Sequence, residues 1–280
     1  MLIDEEIIRY SCQDISENDI NAIIDVVRSD FLTQGPQLPK FENALSKYGG
    51  SKECVVVNSA TSALHLCCLG LGVGKGDLVW TSPNSFIASA NCALMCGANI
   101  DFVDINPKTA NLCAQELEKK LSHANKIGKL PKVVIPVHFA GQPTDQERIW
   151  QLAKEFGFYV VEDASHSLGS RRNGNKTGSC KYSDATVFSF HAIKMITTGE
   201  GGAIMTNNSI LGEKVRELRS HGITKNPEFF ELKSKEPWHY EQKSLGFNYR
   251  LTDFQAALGL SQLNRVDQFV RKRNKIADCY

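Results

Sequence analysis

The chain has 280 residues, room for one large α/β domain or two ordinary ones at roughly 100 to 200 residues each. Lys and Arg number 32 against 31 Asp and Glu, a formal charge of +1, so nothing in the whole draws the chain to nucleic acid or to an anionic membrane. A hydrophobic content of 42% with 22% charged residues is that of a globular protein, not a fibrous or disordered one.

The opening Met1-Leu-Ile-Asp-Glu-Glu is acidic where a secretory signal is basic, and polar residues interrupt every apolar run short of a membrane span. These features predict a cytoplasmic protein. Ser16-Glu-Asn-Asp19 has the form of a capping box with Asp in place of Glu, and Ile20, Ile23, Ile24 and Val27 follow at helical spacing. Phe31 to Pro39, with Gly35, Pro36 and Pro39, predicts a loop, and Phe41, Leu45 and Tyr48 a short helix ended by Gly49-Gly50. Residues 1–50 thus form an N-terminal arm with helices. Strand-like and helix-like runs then alternate: Glu53 to Val57, Ala60 to Leu71, Leu78 to Thr81, Phe86 to Met95, Ile100 to Val103, Leu117 to His123, Val133 to Val137, Asp145 to Phe156, and Phe158 to Val161. This is the pattern of an α/β fold with a mostly parallel sheet between helices. Two further strands, Ala185 to Phe190 and Gly202 to Thr206, joined by a Gly-rich turn, precede helices at Leu211 to Ser220 and Asp253 to Leu263. Pro227 to Lys243 reads as a surface insertion.

Nine cysteines at irregular positions, without a C-x-x-C pair, predict reduced thiols acting as small hydrophobes and no metal site. The Gly-rich piece Gly70 to Gly76 follows a helix instead of a strand and matches neither nucleotide-loop spacing, so it predicts a helix end and a turn. Three segments fall at the C-terminal ends of predicted strands, where ligands of such sheets collect. Asn58-Ser-Ala-Thr-Ser62 opens a helix whose N–H groups suit a phosphate; alone it is an N-cap. Glu162-Asp-Ala-Ser-His166 sets a carboxylate at the sheet edge; alone, Asp163 is a solvated or capping residue. His191-Ala-Ile-Lys194 places one lysine among apolar and small residues; alone it is a surface charge. Together they meet the needs of pyridoxal 5'-phosphate: a lysine for its aldehyde, an acid for its ring nitrogen, and a helix N-terminus for its phosphate.

The segments NSATSALHL, SFIASANCAL, VHFAGQ, EDASHSLGS, FSFHAIK, TTGEGGA, RSHGI and GFNYRLTDFQAALGLSQL resemble the DegT/StrS-type sugar aminotransferases, from about Ile7 to the end of the chain. Within that family the chain most resembles members of pseudaminic acid biosynthesis that aminate carbon 4 of a UDP-linked keto-hexosamine. The resemblance implies a fold type I aminotransferase in which Lys194 bonds to the cofactor and carries the proton, and Asp163 partners the ring nitrogen. It places Phe86 over one ring face, His166 near the phenolic oxygen, and Thr61, Ser62 and Ser189 on the phosphate. Asn248 of the NYR motif would reach the phosphate of a neighbouring subunit, implying a homodimer with shared active sites. Met195 departs from the proline common in relatives. The implied substrates are L-glutamate and a UDP-linked 4-keto-6-deoxy-N-acetylhexosamine. Another nucleotide-linked keto-sugar and a catalytically silent relative stay open, whereas a sugar dehydratase, with histidine at the lysine position, is opposed by Lys194. Residues 51–262 are expected to be the cofactor-binding large domain. Residues 263–280 would start a linking helix to a smaller C-terminal domain that the chain lacks, leaving the stripe Val266, Phe269 and Val270 unpartnered and turnover slow.

Overall fold

A computed structural model describes residues 11–232 and 236–280; the acidic opening Met1 to Glu6 and part of the expected Pro227 to Lys243 insertion lie outside them. In chain order the elements are α1 (Glu17–Val27), α2 (Gln37–Gly49), β1 (Glu53–Val57), α3 (Ala60–Gly70), β2 (Leu78–Thr81), α4 (Ala88–Met95) and β3 (Asn99–Phe102). There follow α5 (Ala114–Lys126), β4 (Val133–Ile135), α6 (Gln146–Phe156), β5 (Tyr159–Asp163) and a small hairpin, β6 (Arg171–Arg172) with β7 (Asn175–Lys176). β8 (Ala185–Ser189), β9 (Gly202–Thr206), α7 (Ser209–Arg219), the pair β10 (Ile223–Thr224) and β11 (Glu241–Gln242), α8 (Asp253–Leu263) and α9 (Val266–Ala277) complete the order.

The capping box at α1 forms as expected: Ser16 Oγ accepts from the backbone of Asp19, and Asp19 accepts from the backbone of Ser16 at 2.8 Å. The loop expected to run to Pro39 is shorter. α2 starts at Gln37, so Pro39 lies in the first helical turn, where a missing N–H costs no intrahelical bond. The donor that most needs a partner there, the Gln37 N–H, goes to buried Asp253 at 2.8 Å, which also takes the Gly35 N–H.

Seven strands form one sheet in the order β1-β9-β8-β5-β4-β2-β3. Every neighbouring pair is parallel except those made by β9, which runs antiparallel between β1 and β8. Strand alternation sends side chains to two faces. Val55, Val57, Val79, Ile135, Val161, Val187 and Ile204 join one core beneath α3, α4 and α7. On the opposite face, Val56, Phe188 and Met205 pack with α2, α8 and α9, and Trp80, Val134 and Val160 with α5 and α6.

β1 is an edge strand, and its outer polar groups are covered by side chains instead of left as a template for another strand. Glu42 accepts from the Val56 N–H at 2.9 Å, Arg219 donates to the Val56 carbonyl at 2.8 Å, and Arg216 donates to the Cys54 carbonyl at 3.1 Å. The stripe on α9 is not unpartnered. Val266 and Phe269 are buried with Leu168, Cys180 and Leu263, Val270 packs over Gly169, and Tyr48 donates to Asp267 at 2.7 Å. Apart from Leu263, their partners come from α2 and the stretch after β5, remote in sequence, so periodicity alone does not reveal them. The cysteines are free thiols, five of them buried as expected; Cys12 and Cys279 are exposed. Among the described residues no helix is long and apolar enough to cross a membrane.

Candidate active site

The parallel strands end together on one side of the sheet, and the first residue of β9 joins them there. Gly202 pairs with Val57 at the end of β1 and with Ser189 at the end of β8. A Cβ on Gly202 would stand 2.6 Å from the Ser59 carbonyl and from the Ala60 nitrogen, so the missing side chain lets α3 begin directly against the sheet. Ser59 caps α3, accepting from the Ser62 N–H at 3.1 Å. Ala60 and Thr61 then lie in a first turn whose N–H groups have no carbonyl partner within the helix.

A cavity of about 450 Å³ opens above these strand ends, within the usual range for a small-molecule site. Thr61, Phe86, Asp163, His166, Ser189 and Lys194 all line it, which brings together six of the expected site residues. Ser59, Ser165, His191 and Glu200 line it too, although sequence assigned them no role in the site. Ser62 is not among the lining residues. It is buried, and its hydroxyl donates to Asn58 at 2.6 Å and meets Ser59 at 2.9 Å. Asn248 is also absent from the lining; it is exposed, on a segment bridged to Ser220 beside α7.

Asp163 is the last residue of β5 and is buried at the cavity floor. Its two oxygens are held from opposite sides: Ser89 of α4 donates to Oδ2 at 2.6 Å, and Ser165 donates to Oδ1 at 2.6 Å. Ser89 is itself completely buried and receives the Ser85 hydroxyl at 2.7 Å. The carboxylate is therefore fixed in one orientation before any ligand arrives. Beneath it a second buried acid, Glu162, accepts from Thr186, Ser183 and Gln146 and faces His138 at 3.5 Å.

Lys194 is half-buried in the turn between β8 and β9, its backbone N–H bonded to the His191 carbonyl at 2.9 Å. Burial pulls its ammonium pKa below the ordinary lysine value, and the charge of Asp163 only partly opposes this. His166 is pulled down as well, first by burial and then by the charge of Lys194. Its position is set by a close approach. Gly141, at φ 90°, passes so near that a Cβ would lie 2.9 Å from the His166 carbonyl oxygen. A second cavity, of about 540 Å³, shares Lys194 and His166 and extends to Arg273 on α9. Phe86, 72% exposed, stands at the mouth of the first.

A pyridine carrying an aldehyde and a phosphate makes three unlike demands on a site, and this donor set meets each. The cavity wall holds an amine whose neutral form is favoured by burial, its floor a clamped carboxylate, and its far end a helix N-terminus with Ser59, Thr61 and Ser189.

The sequence matches the DegT/DnrJ/EryC1/StrS aminotransferase family over residues 13–280. It is 41% identical over 274 residues to the UDP-4-amino-4,6-dideoxy-N-acetyl-beta-L-altrosamine transaminase of Campylobacter jejuni subsp. jejuni serotype O:23/36, covering 98% of this chain and 68% of that protein. Among solved structures, Helicobacter pylori PseC, an aminotransferase involved in the biosynthesis of pseudoaminic acid, superposes with a TM-score of 0.83 at 38% identity, over 92% of this chain and 66% of that one. The PLP-form of Spr1654 from Streptococcus pneumoniae gives 0.83 at 31% identity, over 97% of this chain and 70% of the other. The chain spans about two thirds of the length of these relatives. A site built for pyridoxal phosphate at the strand ends of such a sheet, and a match that runs through all of it, have one common explanation: the chain belongs to the DegT/DnrJ/EryC1/StrS family of pyridoxal-phosphate-dependent aminotransferases.

Proposed function

We propose that this aminotransferase moves the amino group of L-glutamate to carbon 4 of a UDP-linked 4-keto-6-deoxy-N-acetylhexosamine, giving UDP-4-amino-4,6-dideoxy-N-acetyl-beta-L-altrosamine for pseudaminic acid biosynthesis. The convergence of Lys194, Asp163 and the N-terminus of α3 in one cavity carries the reaction class, and the similarity to the Campylobacter transaminase supports the sugar. When bound, pyridoxal phosphate supplies an aldehyde that takes up an amine and a protonated ring that accepts an electron pair.

Each residue then has a task that follows from its setting. Lys194 would hold the cofactor through its aldehyde carbon and, once freed, would carry a proton from the donor's α-carbon to that aldehyde carbon, a task that burial favours by lowering its pKa. Asp163, fixed by Ser89 and Ser165, keeps the ring nitrogen protonated. Ser59, Thr61 and Ser189 hold the phosphate together with the first turn of α3. Phe86 covers one ring face and His166 stands at the phenolic oxygen. In a homodimer, Asn248 serves the neighbouring subunit's phosphate, consistent with its exposure outside its own cavity. Residues 51–262 act as the cofactor-binding unit, with 1–50 as an arm and 263–280 as the start of a linking helix that packs on that unit through Val266 and Phe269. The cavity reaching Arg273 admits the anionic nucleotide-sugar beside Lys194.

The test is a panel of UDP-, dTDP- and GDP-linked 4-keto sugars with L-glutamate, read by 2-oxoglutarate release. Preference for the UDP-linked 6-deoxy-N-acetylhexosamine is expected. Preference for another nucleotide would replace the substrate while keeping the reaction. Failure of borohydride to fix pyridoxal phosphate onto Lys194 would remove the mechanistic assignment itself.

A further inference from the structure

α8 begins beside the turn that carries Lys194, and one side chain joins the two. Gln255 stands in the first turn of α8 and supplies the back-reaching half of its capping box. Its side-chain oxygen accepts from the Thr252 N–H at 3.3 Å and from the Thr252 hydroxyl at 2.7 Å. The nitrogen of the same amide donates to the Glu200 carbonyl at 3.1 Å and to the Thr198 carbonyl at 3.4 Å. The amide can face only this way, because a backbone N–H only donates and a carbonyl only accepts.

Thr198 and Glu200 belong to the return limb of the Lys194 turn. At the base of the turn the Phe190 N–H donates to the Gly201 carbonyl at 2.8 Å, and the Thr198 N–H to the Phe190 carbonyl at 2.9 Å. The Thr198 hydroxyl donates at 2.7 Å to the Glu200 carbonyl that Gln255 also holds. α8 lies close against this limb: a Cβ on Gly259 would stand 2.8 Å from Thr198 Cγ2. Across the turn the Glu200 carboxylate faces His191 at 3.9 Å, and the His191 carbonyl holds the Lys194 N–H at 2.9 Å. Contacts thus run from Gln255 through Glu200 and His191 to Lys194.

We propose that Gln255 is a positioning residue for Lys194: its amide fastens the Lys194 turn to the N-terminus of α8, so that the amine meets the cofactor from a fixed backbone. The residue type supports this. A glutamate at the same position closes a capping box as well as a glutamine does, but a carboxylate has no proton to give the Thr198 and Glu200 carbonyls. The amide serves both elements at once. The proposal rests on the task given to Lys194 under the proposed function.

The test compares the full chain with Gln255→Glu, which keeps the box and loses the donors, and with Gln255→Met, which loses both. In protein free of cofactor, hydrogen exchange across 190–201 should quicken by about tenfold in both variants, the scale of one net hydrogen bond. α8 should stay protected and the melting temperature unchanged in Gln255→Glu, whereas Gln255→Met melts lower. Borohydride fixation of pyridoxal phosphate at Lys194, read by mass spectrometry per folded molecule, should slow in both. Unchanged exchange at 190–201, or unchanged fixation despite faster exchange, would overturn this proposal alone. So would a Gln255→Glu variant that melts lower and exchanges equally fast in α8, the behaviour of a helix cap and nothing more. A wild-type chain left unlabelled at Lys194 would overturn the task of Lys194 and this proposal with it.

Discussion

Lys194 owes its reactivity to where the chain puts it, in the turn that links two buried strands, half-removed from water. Burial there favours the neutral amine, which is the form that can bond to an aldehyde or take a proton. Lys194→Ala should therefore fold normally yet lose turnover by about 10²- to 10⁴-fold or more, the range for a general base before the covalent link is counted. Asp163→Ala should cost roughly 10²-fold or more through the electron sink. Steady-state rates with circular dichroism as the folding control check both, and a wild-type rate in either variant would remove that residue from its role. Both positions were legible in the sequence because Asp163 ends β5 and Lys194 follows the end of β8 in a short turn, and strand ends can be read from pattern. Ser89 and Ser59 were not named. Ser89 lies in a helix one element before β3 and reaches Asp163 only through the packing of α4 on the sheet, which no spacing encodes. Ser59 was visible as a cap, but which of Ser59 and Ser62 faces the cavity depends on how Asn58 turns the Ser62 hydroxyl inward.

At the scale of elements, the sheet and its helices follow closely from sequence, with β2, β9 and α8 at the expected bounds. The direction of β9 does not, because alternating burial looks the same in parallel and antiparallel strands. Nor does the start of α2, because Gly35, Pro36 and Pro39 together read as a loop although a first helical turn accommodates Pro39. The junction of β9 with α3 is a close backbone approach. Gly202→Ala would push a methyl group into the Ser59–Ala60 backbone at 2.6 Å, and backbone cannot swing aside as a side chain can. The variant should lose about 1–3 kcal/mol of stability, as overpacked positions do. It should also bind pyridoxal phosphate more weakly, since the helix N-terminus is displaced. Denaturant titration and absorbance titration measure the two effects; unchanged values in both would mean that this junction has slack.

For the whole molecule, a buried acid helps to tie the N-terminal helix to the C-terminal ones, beside the contacts that Asp14 makes with Gln262 and Arg265. Asp19 on α1 accepts from Ser261 at 2.6 Å, Gln262 at 2.8 Å and Arg265 at 2.5 Å. Burial alone would raise its pKa, but the hydrogen bonds from Ser261, Ser16 and Gln262 outweigh it, so the folded value is lowered. A depressed carboxyl pKa stabilises the fold at every pH above the ordinary aspartate value and loses that contribution as pH falls through the folded one. Asp19→Asn should accordingly be about 2 kcal/mol less stable at pH 7, the scale of hydrogen bonds to a charged group, with the gap narrowing below about pH 4. Thermal melts of both proteins from pH 3 to 7 test the sign, and a gap that widens on acidification would refute it. The shared site proposed between subunits makes a further claim on the whole molecule. Mixed dimers of Lys194→Ala with Asn248→Ala should regain activity, because one of their two sites holds both native residues. Verified heterodimers without recovered activity would count against that sharing.

The place of β9 in the sheet also fixes when the site comes into being. It is the last of the seven sheet strands along the chain, yet it lies between the first, β1, and the sixth, β8. Without β9, β1 has no strand to pair with, whereas β3, β2, β4, β5 and β8 pair directly with one another. Ser59 and Thr61 travel with β1, whereas Asp163, Ser189 and Lys194 travel with the growing block. Only the insertion of β9 closes the gap and sets the two halves of the cavity face to face. A nascent chain halted between Lys194 and Gly202 therefore carries every side chain proposed to hold the cofactor from its own subunit, and still lacks the strand that brings them together.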